Sequence, residues 1–277
     1  MQLVTYQGSQ GPRVGRLMGD AIYDLGHSDM ATFLAQPDWR EQASAATGHA
    51  SASLTATRLL APVRRPPKFI GIGLNYSDHA AESGNPIPKQ PVLFAKYANA
   101  VIGPDDGIPH PGEALTTQLD WEVELGVVIG KTCRRVSEAD ALGYVAGYTV
   151  INDVSARDLQ KFDGQWMKGK CLDGFAPMGP CIVTTDEIPD PQALRLTMHV
   201  NGVQRQSGTT AKMIFSVAHV VHFLSQLMTL EPGDVIATGT PPGVGMGMKP
   251  PVYLQVGDLC RAEVERIGVI ENRVVES

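Results

Sequence analysis

The chain alternates short apolar runs with turn residues, and this pattern restricts it to a β-rich fold. Beyond residue 61, runs rich in Val, Ile, Leu and aromatic residues have the length of β-strands, and Gly, Pro, Asn or Asp separate them: KFIGIGL, PVLFAKY, LDWEVELGVVIG, VAGYTVIND, LRLTMHVNG, GDVIATGT and LCRAEVERIGVIENRVV. Helical patterns are few, namely SEADALGYV, SARDLQKF and AKMIFSVAHVVHFLSQLM. Strands and helices do not alternate, which argues against a doubly wound sheet or a TIM barrel. We therefore predict a β-rich α+β fold, a mixed β-sandwich or roll with peripheral helices.

The N-terminal residues suggest a separate small unit. QLVTYQG and RVGRLMGDAIYDL indicate a hairpin around a Gly/Pro turn, and one or two short helices should follow. Pro62, Pro66 and Pro67 then disfavour helix and indicate a linker. We predict a small N-terminal α/β unit over residues 1–61 and a larger domain over residues 62–277.

Charge and cysteine usage limit the classes of partner and location. The net charge is −6 and no block of Lys or Arg occurs, whereas nucleic-acid binding needs a basic face. No secretory signal or run of about 18 apolar residues is present. The cysteines lack CxxC spacing, so we expect reduced thiols and no zinc finger. We predict a cytoplasmic protein that binds neither nucleic acid nor membranes.

Three acidic residues follow or occupy predicted strands. Glu122 and Glu124 are two apart in LDWEVELGVVIG, so both would leave one face of a strand. They could belong to a solvated face, but the apolar LGVVIG run indicates burial on both sides, where unpaired carboxylates are costly. Asp153 ends GYTVIND; it could cap the next helix or supply a third oxygen ligand. Together the three side chains suit Mg²⁺, Mn²⁺ or Ca²⁺ rather than zinc.

These motifs occur in a familiar order. NYSDHAAE, DWEVELGVVIG, VINDVSARDLQ, GKCLDGFAPMGP, VNGVQRQSGTTAKMIF and GDVIATGTPPGVG together resemble the fumarylacetoacetate hydrolase family over about residues 62–275. The resemblance implies a mixed β-sandwich roll that binds Mg²⁺ or Mn²⁺, forms a homodimer and acts on small anionic 2-oxo or 2,4-dioxo acids.

The same resemblance assigns roles to individual residues. Glu122, Glu124 and Asp153 match the family's metal ligands, and His79 with Glu82 match its acid/base pair on a lid. Lys170 matches the active-site lysine; Lys168 is a second lysine nearby, and Lys170 is preferred because it adjoins the LDGFAPMGP block. The remaining matches are to substrate contacts, at Arg157, Gln160 and, for a substrate carboxylate, Thr240.

His79 and Glu82 would face one side of a short helical turn. At this spacing the carboxylate can orient the imidazole and raise its basicity, so that the pair can deprotonate water. A solvated surface helix is the alternative. Neighbouring residues instead suit a mobile segment that closes over substrate: Gly73, Gly84, Asn85 and Pro86.

We therefore expect a metal-dependent hydrolase that cleaves a carbon–carbon bond in a 2,4-dioxo acid, such as an acylpyruvate, to give a 2-oxo acid and a carboxylic acid. The same chemistry would serve an oxaloacetate decarboxylase or a 2-hydroxydienoate isomerase or hydratase. A non-catalytic 2-oxo acid binding module would need the three carboxylates but not His79, Glu82 or Lys170.

Two other signals are discounted. His219 and His222 align with polar residues on one side of an amphipathic helix, so we expect a solvated face. GTPPGVGMGM lacks the Lys-Ser/Thr of a P-loop, although its backbone amides could hold a carboxylate.

Overall fold

The computed structural model describes residues 1–82 and 86–277, apart from the side chains of Ala80 and Ala81; Gly84 and Asn85 of the predicted lid lie outside the described residues. The helices are α1 (Met30–Leu34), α2 (Trp39–Ala45), α3 (Ser77–Glu82), α4 (Arg157–Lys161), α5 (Met167–Lys170) and α6 (Val217–Leu227). The strands are β1 (Gln2–Gly8), β2 (Gly11–Met18), β3 (Ala21–Asp24), β4 (Ala52–Ser53), β5 (Leu59–Leu60), β6 (Phe69–Gly73), β7 (Val92–Lys96), β8 (Val101–Ile102), β9 (Ile108–His110), β10 (Leu119–Asp120), β11 (Val123–Ile129), β12 (Val145–Asn152), β13 (Ser155–Ala156), β14 (Ala176–Thr184), β15 (Arg195–Val200), β16 (Val203–Thr209), β17 (Val235–Ala237), β18 (Leu259–Val264) and β19 (Gly268–Glu276).

Two mixed sheets form the body of the protein. In the described residues the larger sheet has twelve strands, ordered β4-β3-β2-β1-β14-β12-β11-β17-β6-β7, with β5 on β1 and β8 on β14. The smaller sheet has the order β16-β15-β18-β19-β9. Most neighbours are antiparallel, but β17 with β6, β14 with β8 and β19 with β9 are parallel.

The two sheets pack face to face through apolar side chains. β14 contacts β19, while β11 and β12 contact the strands of the smaller sheet. The central strands β11 and β12 are buried along their whole length, as the continuous LGVVI and VAGYTVI runs require. The prediction of a β-rich mixed sandwich is confirmed.

Some element predictions differ from the structure. LDWEVELGVVIG is interrupted, because β10 ends at Asp120 and β11 begins at Val123. SEADALGYV was predicted as a helix, which is wrong: it contains only a 3₁₀ turn over Ala141–Tyr144, and β12 starts directly afterwards. β14 was not predicted, because the Gly and Pro residues in APMGPCIVT resemble a turn.

The N-terminal strands extend the larger sheet. β1 pairs with β2 and β5, and its first residues also pair with β14, where Leu3 lies opposite Ile182. The two short helices expected after the hairpin are α1 and α2. The division into residues 1–61 and 62–277 stays a prediction. No helix in the described part of the chain is long and apolar enough to cross a membrane.

Candidate metal centre and active site

Three carboxylates lie close together where β11 begins and β12 ends. Val123 pairs with Asn152, which places Glu122, directly before β11, and Glu124, within β11, beside Asp153, directly after β12. The backbone N–H of Asp153 donates to the carbonyl of Glu122 at 2.9 Å. One oxygen from each carboxylate lies within 4.8 Å of the other two, and all three residues are buried. The antiparallel register therefore brings Asp153 to Glu124 and Glu122, which lie 29 and 31 residues before it in the sequence.

This donor set fits a divalent cation. Carboxylate oxygens are the hard ligands that Mg²⁺, Mn²⁺ and Ca²⁺ prefer, and a buried cluster of anions is costly without cations. α4 begins at Arg157 after Ala156, so Asp153 does not cap it. Its carboxylate is therefore directed into the buried cluster rather than to a helix end. The residues are compatible with a metal held by Glu122, Glu124 and Asp153.

Two buried lysines compensate part of this negative charge. Lys170 Nζ donates to Glu122 Oε2 at 2.8 Å and to Asp153 Oδ2 at 2.6 Å. Lys96 Nζ donates to Asp153 Oδ1 at 2.6 Å and to the Lys170 carbonyl at 2.5 Å. Lys168, the alternative lysine, lies at the surface and pairs with Asp163. The structure therefore places Lys170, and not Lys168, at the carboxylates.

The two glutamates differ in their electrostatic environment. Burial would raise the pKa of Glu122, but Lys170 and Arg157 outweigh it and lower the pKa to about 2. Burial raises the pKa of Glu124 well above its usual value, and Asp153 and Glu122 raise it further. Glu124 accepts a hydrogen bond from Gly239 N at 2.7 Å. Glu124 is thus the carboxylate that would gain most from a bound cation.

Arg157 and Gln160 lie one turn apart on α4 and face the same cavity. Arg157 Nε donates to Asp120 at 2.8 Å, and its Nη1 lies 2.6 Å from Glu122 Oε1 and donates to Gln160 Oε1 at 3.0 Å. The buried Nη2 has no hydrogen-bond partner among the described residues. A buried guanidinium with an unused N–H is suited to an anionic ligand.

His79 and Glu82 form the expected pair on α3. His79 Nδ1 lies 3.1 Å from Glu82 Oε2. If Nδ1 carries the proton that the carboxylate accepts, Nε2 is the basic nitrogen of the neutral imidazole. Glu82 Oε1 also accepts from Gly243 N at 2.9 Å, so the glycine-rich loop, residues 239–248, holds this carboxylate. The dyad geometry is therefore present in the structure.

Thr240 lines the cavity, but its hydroxyl is already engaged. Its Oγ1 donates to the Val123 carbonyl at 2.8 Å and accepts from Gln206 Nε2 at 2.7 Å. A substrate carboxylate at Thr240 would therefore have to use the backbone N–H. The hydroxyl itself fixes the loop against β11.

One cavity of about 200 Å³ is lined by seven of the nine predicted site residues, the exceptions being Asp153 and Glu82. It is lined by residues from several parts of the chain: Ile72, Gly73, Leu74, His79, Phe94, Glu122, Glu124, Arg157, Gln160, Lys161, Trp166, Lys170, Thr240 and Met246. Acidic, basic and imidazole groups thus line one cavity together with apolar side chains.

Sequence reasoning missed two charged residues that support the site. Lys96 ends the apolar strand β7, and a lone lysine in such a run is a signal for a buried partner. Asp120 accepts from Trp121 N, Gly245 N, Met246 N and Arg157 Nε, so it joins α4 to the glycine-rich loop. Asp120 directly precedes the Trp-Glu pair of the motif, but its partners other than Trp121 are more than 30 residues away.

The two histidines and the glycine-rich segment that the sequence analysis discounted have partners elsewhere in the chain. His219 and His222 lie on α6 as predicted, where His219 Nδ1 is 3.0 Å from Glu138 and His222 Nδ1 is 2.8 Å from the Val136 carbonyl. The GTPPGVGMGM loop uses its amides for carboxylates of its own chain, namely Glu82, Asp120 and Glu124.

Comparison with known proteins gives the relationships of this chain. The model of the fumarylacetoacetate hydrolase C-terminal domain matches residues 68–275. A Burkholderia multivorans protein named "Putative hydrolase" is 57% identical over 213 residues, which cover 76% of this chain and 75% of that protein. A 2-hydroxyhepta-2,4-diene-1,7-dioate isomerase from Mycobacterium marinum has a TM-score of 0.80 at 35% identity, over 100% of this chain and 99% of the isomerase.

A further solved structure was determined with ligands. The maleylpyruvate hydrolase from Sphingobium sp. SYK-6, in complex with manganese(II) and pyruvate, has a TM-score of 0.83 at 30% identity, over 100% of both chains. The family match covers most of the chain, and the fold extends the relationship to its full length. The chain belongs to the fumarylacetoacetate hydrolase family.

Proposed function

We propose that this protein is a divalent-metal-dependent hydrolase that cleaves the C3–C4 bond of a 2,4-dioxo acid. The observation that carries the proposal is the His79–Glu82 pair, because a potential base for water lines the same cavity as Glu122 and Glu124. The similarity to a maleylpyruvate hydrolase solved with manganese(II) and pyruvate supports the metal and a 2-oxo acid product. The metal would be Mg²⁺ or Mn²⁺, held by Glu122, Glu124 and Asp153.

The metal, when bound, would withdraw electrons from the 1-carboxylate and 2-oxo group of the substrate and so make C3 a better leaving group. Arg157 would orient the anionic end of the substrate through its unused Nη2. Gln160, fixed by Arg157, would contact the oxygen on C4. The backbone N–H of Thr240 would hold a carboxylate.

The chain's own groups account for the movement of protons. Water loses a proton to His79 Nε2 and its oxygen bonds to C4, while Glu82 stabilises the imidazolium. Lys170 and Gln160 would stabilise the negative charge on the C4 oxygen. When the C3–C4 bond breaks, its electron pair stays with C3, which takes the proton back. Water is thus divided between the two products, a carboxylic acid and a 2-oxo acid such as pyruvate.

Replacement of His79 tests this assignment. His79→Ala should still bind Mg²⁺ and oxalate, a mimic of the 2-oxo acid end, because the carboxylates and Arg157 remain. Its kcat for acylpyruvate hydrolysis should fall roughly 10²- to 10⁴-fold, the usual loss for a general base. Glu82→Gln should lose less, and the double variant should be no worse than His79→Ala, because Glu82 acts through His79.

Substrate assays separate the alternatives. The wild-type protein with Mg²⁺ would be incubated with acylpyruvates, oxaloacetate and 2-hydroxydienoates, and 2-oxo acid release measured against substrate loss. Similarity to the Mycobacterium marinum isomerase makes isomerisation the second candidate. Turnover of a dienoate or oxaloacetate without acylpyruvate hydrolysis, or equal loss of all activities in His79→Ala, would contradict the proposal. The homodimer and the cytoplasmic location stay predictions, and sedimentation velocity would test the former.

A further inference from the structure

Two glycines on β6 give the cavity an aromatic wall. Gly71 and Gly73 are two residues apart, so they face the same side of the strand. A Cβ atom at Gly71 would lie 2.1 Å from the ring of Phe94, and one at Gly73 would lie 2.3 Å from the ring of Trp166. Both distances are shorter than atoms tolerate. The two rings therefore occupy the space that ordinary strand side chains would fill.

The wall adjoins the acidic centre, which consists of Glu122, Glu124 and Asp153. Phe94 is the cross-strand partner of Gly71, and its ring centroid lies 5.1 Å from Lys170 Nζ. The rings of Phe94 and Trp166 are 5.9 Å apart and tilted by 54°. Phe94 therefore has Trp166 on one side and, on another, Lys170, which donates to Glu122 and Asp153.

The surface of this wall is apolar and incompletely covered. Phe94 and Trp166 line the cavity and are only partly buried. Leu74 and Met246, which are also partly buried, line the same cavity. Leu74 has φ of 54°, in the left-handed region that leucine rarely adopts, so the surrounding structure imposes this turn. Apolar surface gathered in a cavity is what the apolar part of a ligand covers.

Charge around the wall is limited. Lys161 also lines the cavity, but it is exposed at the end of α4. A solvated ammonium contributes little to binding a distal carboxylate. Arg157 and Lys170 are instead held at the acidic centre by Glu122.

We infer that the acyl group of the substrate beyond C4 is uncharged and apolar, and that Trp166 is the residue that contacts it. This inference rests on the proposed function, because it assumes that the 2-oxo acid end is held at Glu122, Glu124 and Asp153. It makes Trp166 a specificity residue, and it assigns the substrate to acylpyruvates with an alkyl or aryl acyl group.

Binding of unreactive analogues tests the inference. Oxamate resembles the 2-oxo acid end, N-phenyloxamate adds an apolar ring, and N-oxalylglycine adds a carboxylate. Calorimetric titration of the protein in excess Mg²⁺ should give at least tenfold tighter binding of N-phenyloxamate than of oxamate. N-oxalylglycine should bind no more tightly than oxamate.

Variants locate the effect. Trp166→Ala and Trp166→Leu should reduce the tenfold preference for the phenyl analogue to less than threefold while oxamate affinity stays unchanged, and unchanged oxamate affinity also shows that the variants fold. Gly73→Ala should also reduce the preference for the phenyl analogue, because the added methyl group would displace the Trp166 ring. Phe162→Ala is the matched control, because Phe162 is an aromatic residue four positions earlier, is 84% exposed and does not line the cavity.

The outcomes separate the two proposals. If the wild-type protein binds oxamate but shows no preference for the phenyl analogue, the inference is wrong and the proposed function stands. Tighter binding of N-oxalylglycine that Lys161→Met abolishes would likewise overturn the inference in favour of a dicarboxylate substrate. If no oxamate binds, the proposed function is itself wrong and the inference falls with it.

Discussion

Glu124 has the most unusual environment of the three clustered carboxylates. Lys170 pairs with Glu122 and Asp153, whereas burial and these two neighbouring carboxylates raise the pKa of Glu124. An acid with a raised pKa in the folded state favours folding less as pH increases. The metal-free protein should therefore lose stability between the ordinary carboxyl pKa and the raised value.

Metal binding should release a proton from Glu124. A metal ligand must be deprotonated, so Mg²⁺ affinity should rise with pH until the raised pKa is passed. Calorimetric titration in two buffers that differ in ionisation enthalpy would measure this proton. Glu124→Gln should abolish the release and weaken Mg²⁺ binding at least tenfold, about 1.4 kcal/mol. The pKa of Glu122 is about 2, so Glu122 should contribute no proton near neutral pH.

The result can contradict the assignment in two ways. Equal binding enthalpies in the two buffers would mean that Glu124 is already ionised. Unchanged Mg²⁺ affinity in Glu124→Gln would mean that Glu124 is not a ligand.

Among single residues, the sequence predicted the three clustered carboxylates but not Lys96 and Asp120, which hold the site in place. Glu122 and Glu124 stand two apart in a recognisable motif, and Asp153 ends a strand, so each has a local signal. Lys96 and Asp120 act through partners that only strand pairing and loop closure bring near. No local pattern specifies those contacts.

Helix α3 rests on the glycine-rich loop, and this contact sets the position of the dyad. Gly243 N donates to Glu82, and a Cβ at Gly247 would lie 2.6 Å from Glu82 Cδ. Small residues in the loop therefore let Glu82 reach both Gly243 and His79. The placement of α3 depends on the loop as much as on its own sequence.

Gly247→Ala should displace Glu82 and disturb the dyad. We expect kcat to fall roughly 10- to 100-fold, because a shift of about 1 Å in a catalytic group can cost that much. Mg²⁺ affinity, measured by titration, should not change. Gly143→Ala is the matched control, because a Cβ at Gly143 meets no atom within 4 Å. Equal activities of the two variants would show that the loop does not position Glu82.

Elements with a clear apolar pattern were predictable, and those that depend on tertiary contacts were not. KFIGIGL and VAGYTVIND became β6 and β12 close to the expected bounds. β14 contains Gly179 and Pro180 and still joins β1, β12 and β8 in the sheet, because its neighbours supply the pairing. SEADALGYV has helix-forming residues, but Val145 onward is taken into β12.

For the whole molecule, the buried charged centre links metal binding to global stability. A ligand present at about 100 times its Kd stabilises the folded state by about 2.7 kcal/mol, which for a chain of this length corresponds to a rise in Tm of roughly 5 °C. Differential scanning calorimetry of chelated and Mg²⁺- or Mn²⁺-loaded protein would measure this shift. Exhaustive chelation should also abolish turnover, and added metal should restore it.

The matched variant for this experiment is Glu124→Gln, which should show a much smaller rise in Tm. A chelated protein with full activity, or a metal-loaded protein with an unchanged Tm, would remove the cation from both function and stability.

The pairing of β11 with β12 also determines where the chain can change in length. The carboxylates lie at the Val123–Asn152 end of this pair, and the connection leaves from the Ile129–Val145 end, about 20 Å away at about 3.3 Å per residue. The exposed residues between Ser137 and Asp140 can therefore accept an inserted segment without moving Glu124. A single residue inserted inside β11 would instead turn Glu124 to the opposite face of the sheet. Homologues can therefore differ in length at the β11–β12 connection, where an additional domain could also be inserted. The number of residues within β11 has to stay the same.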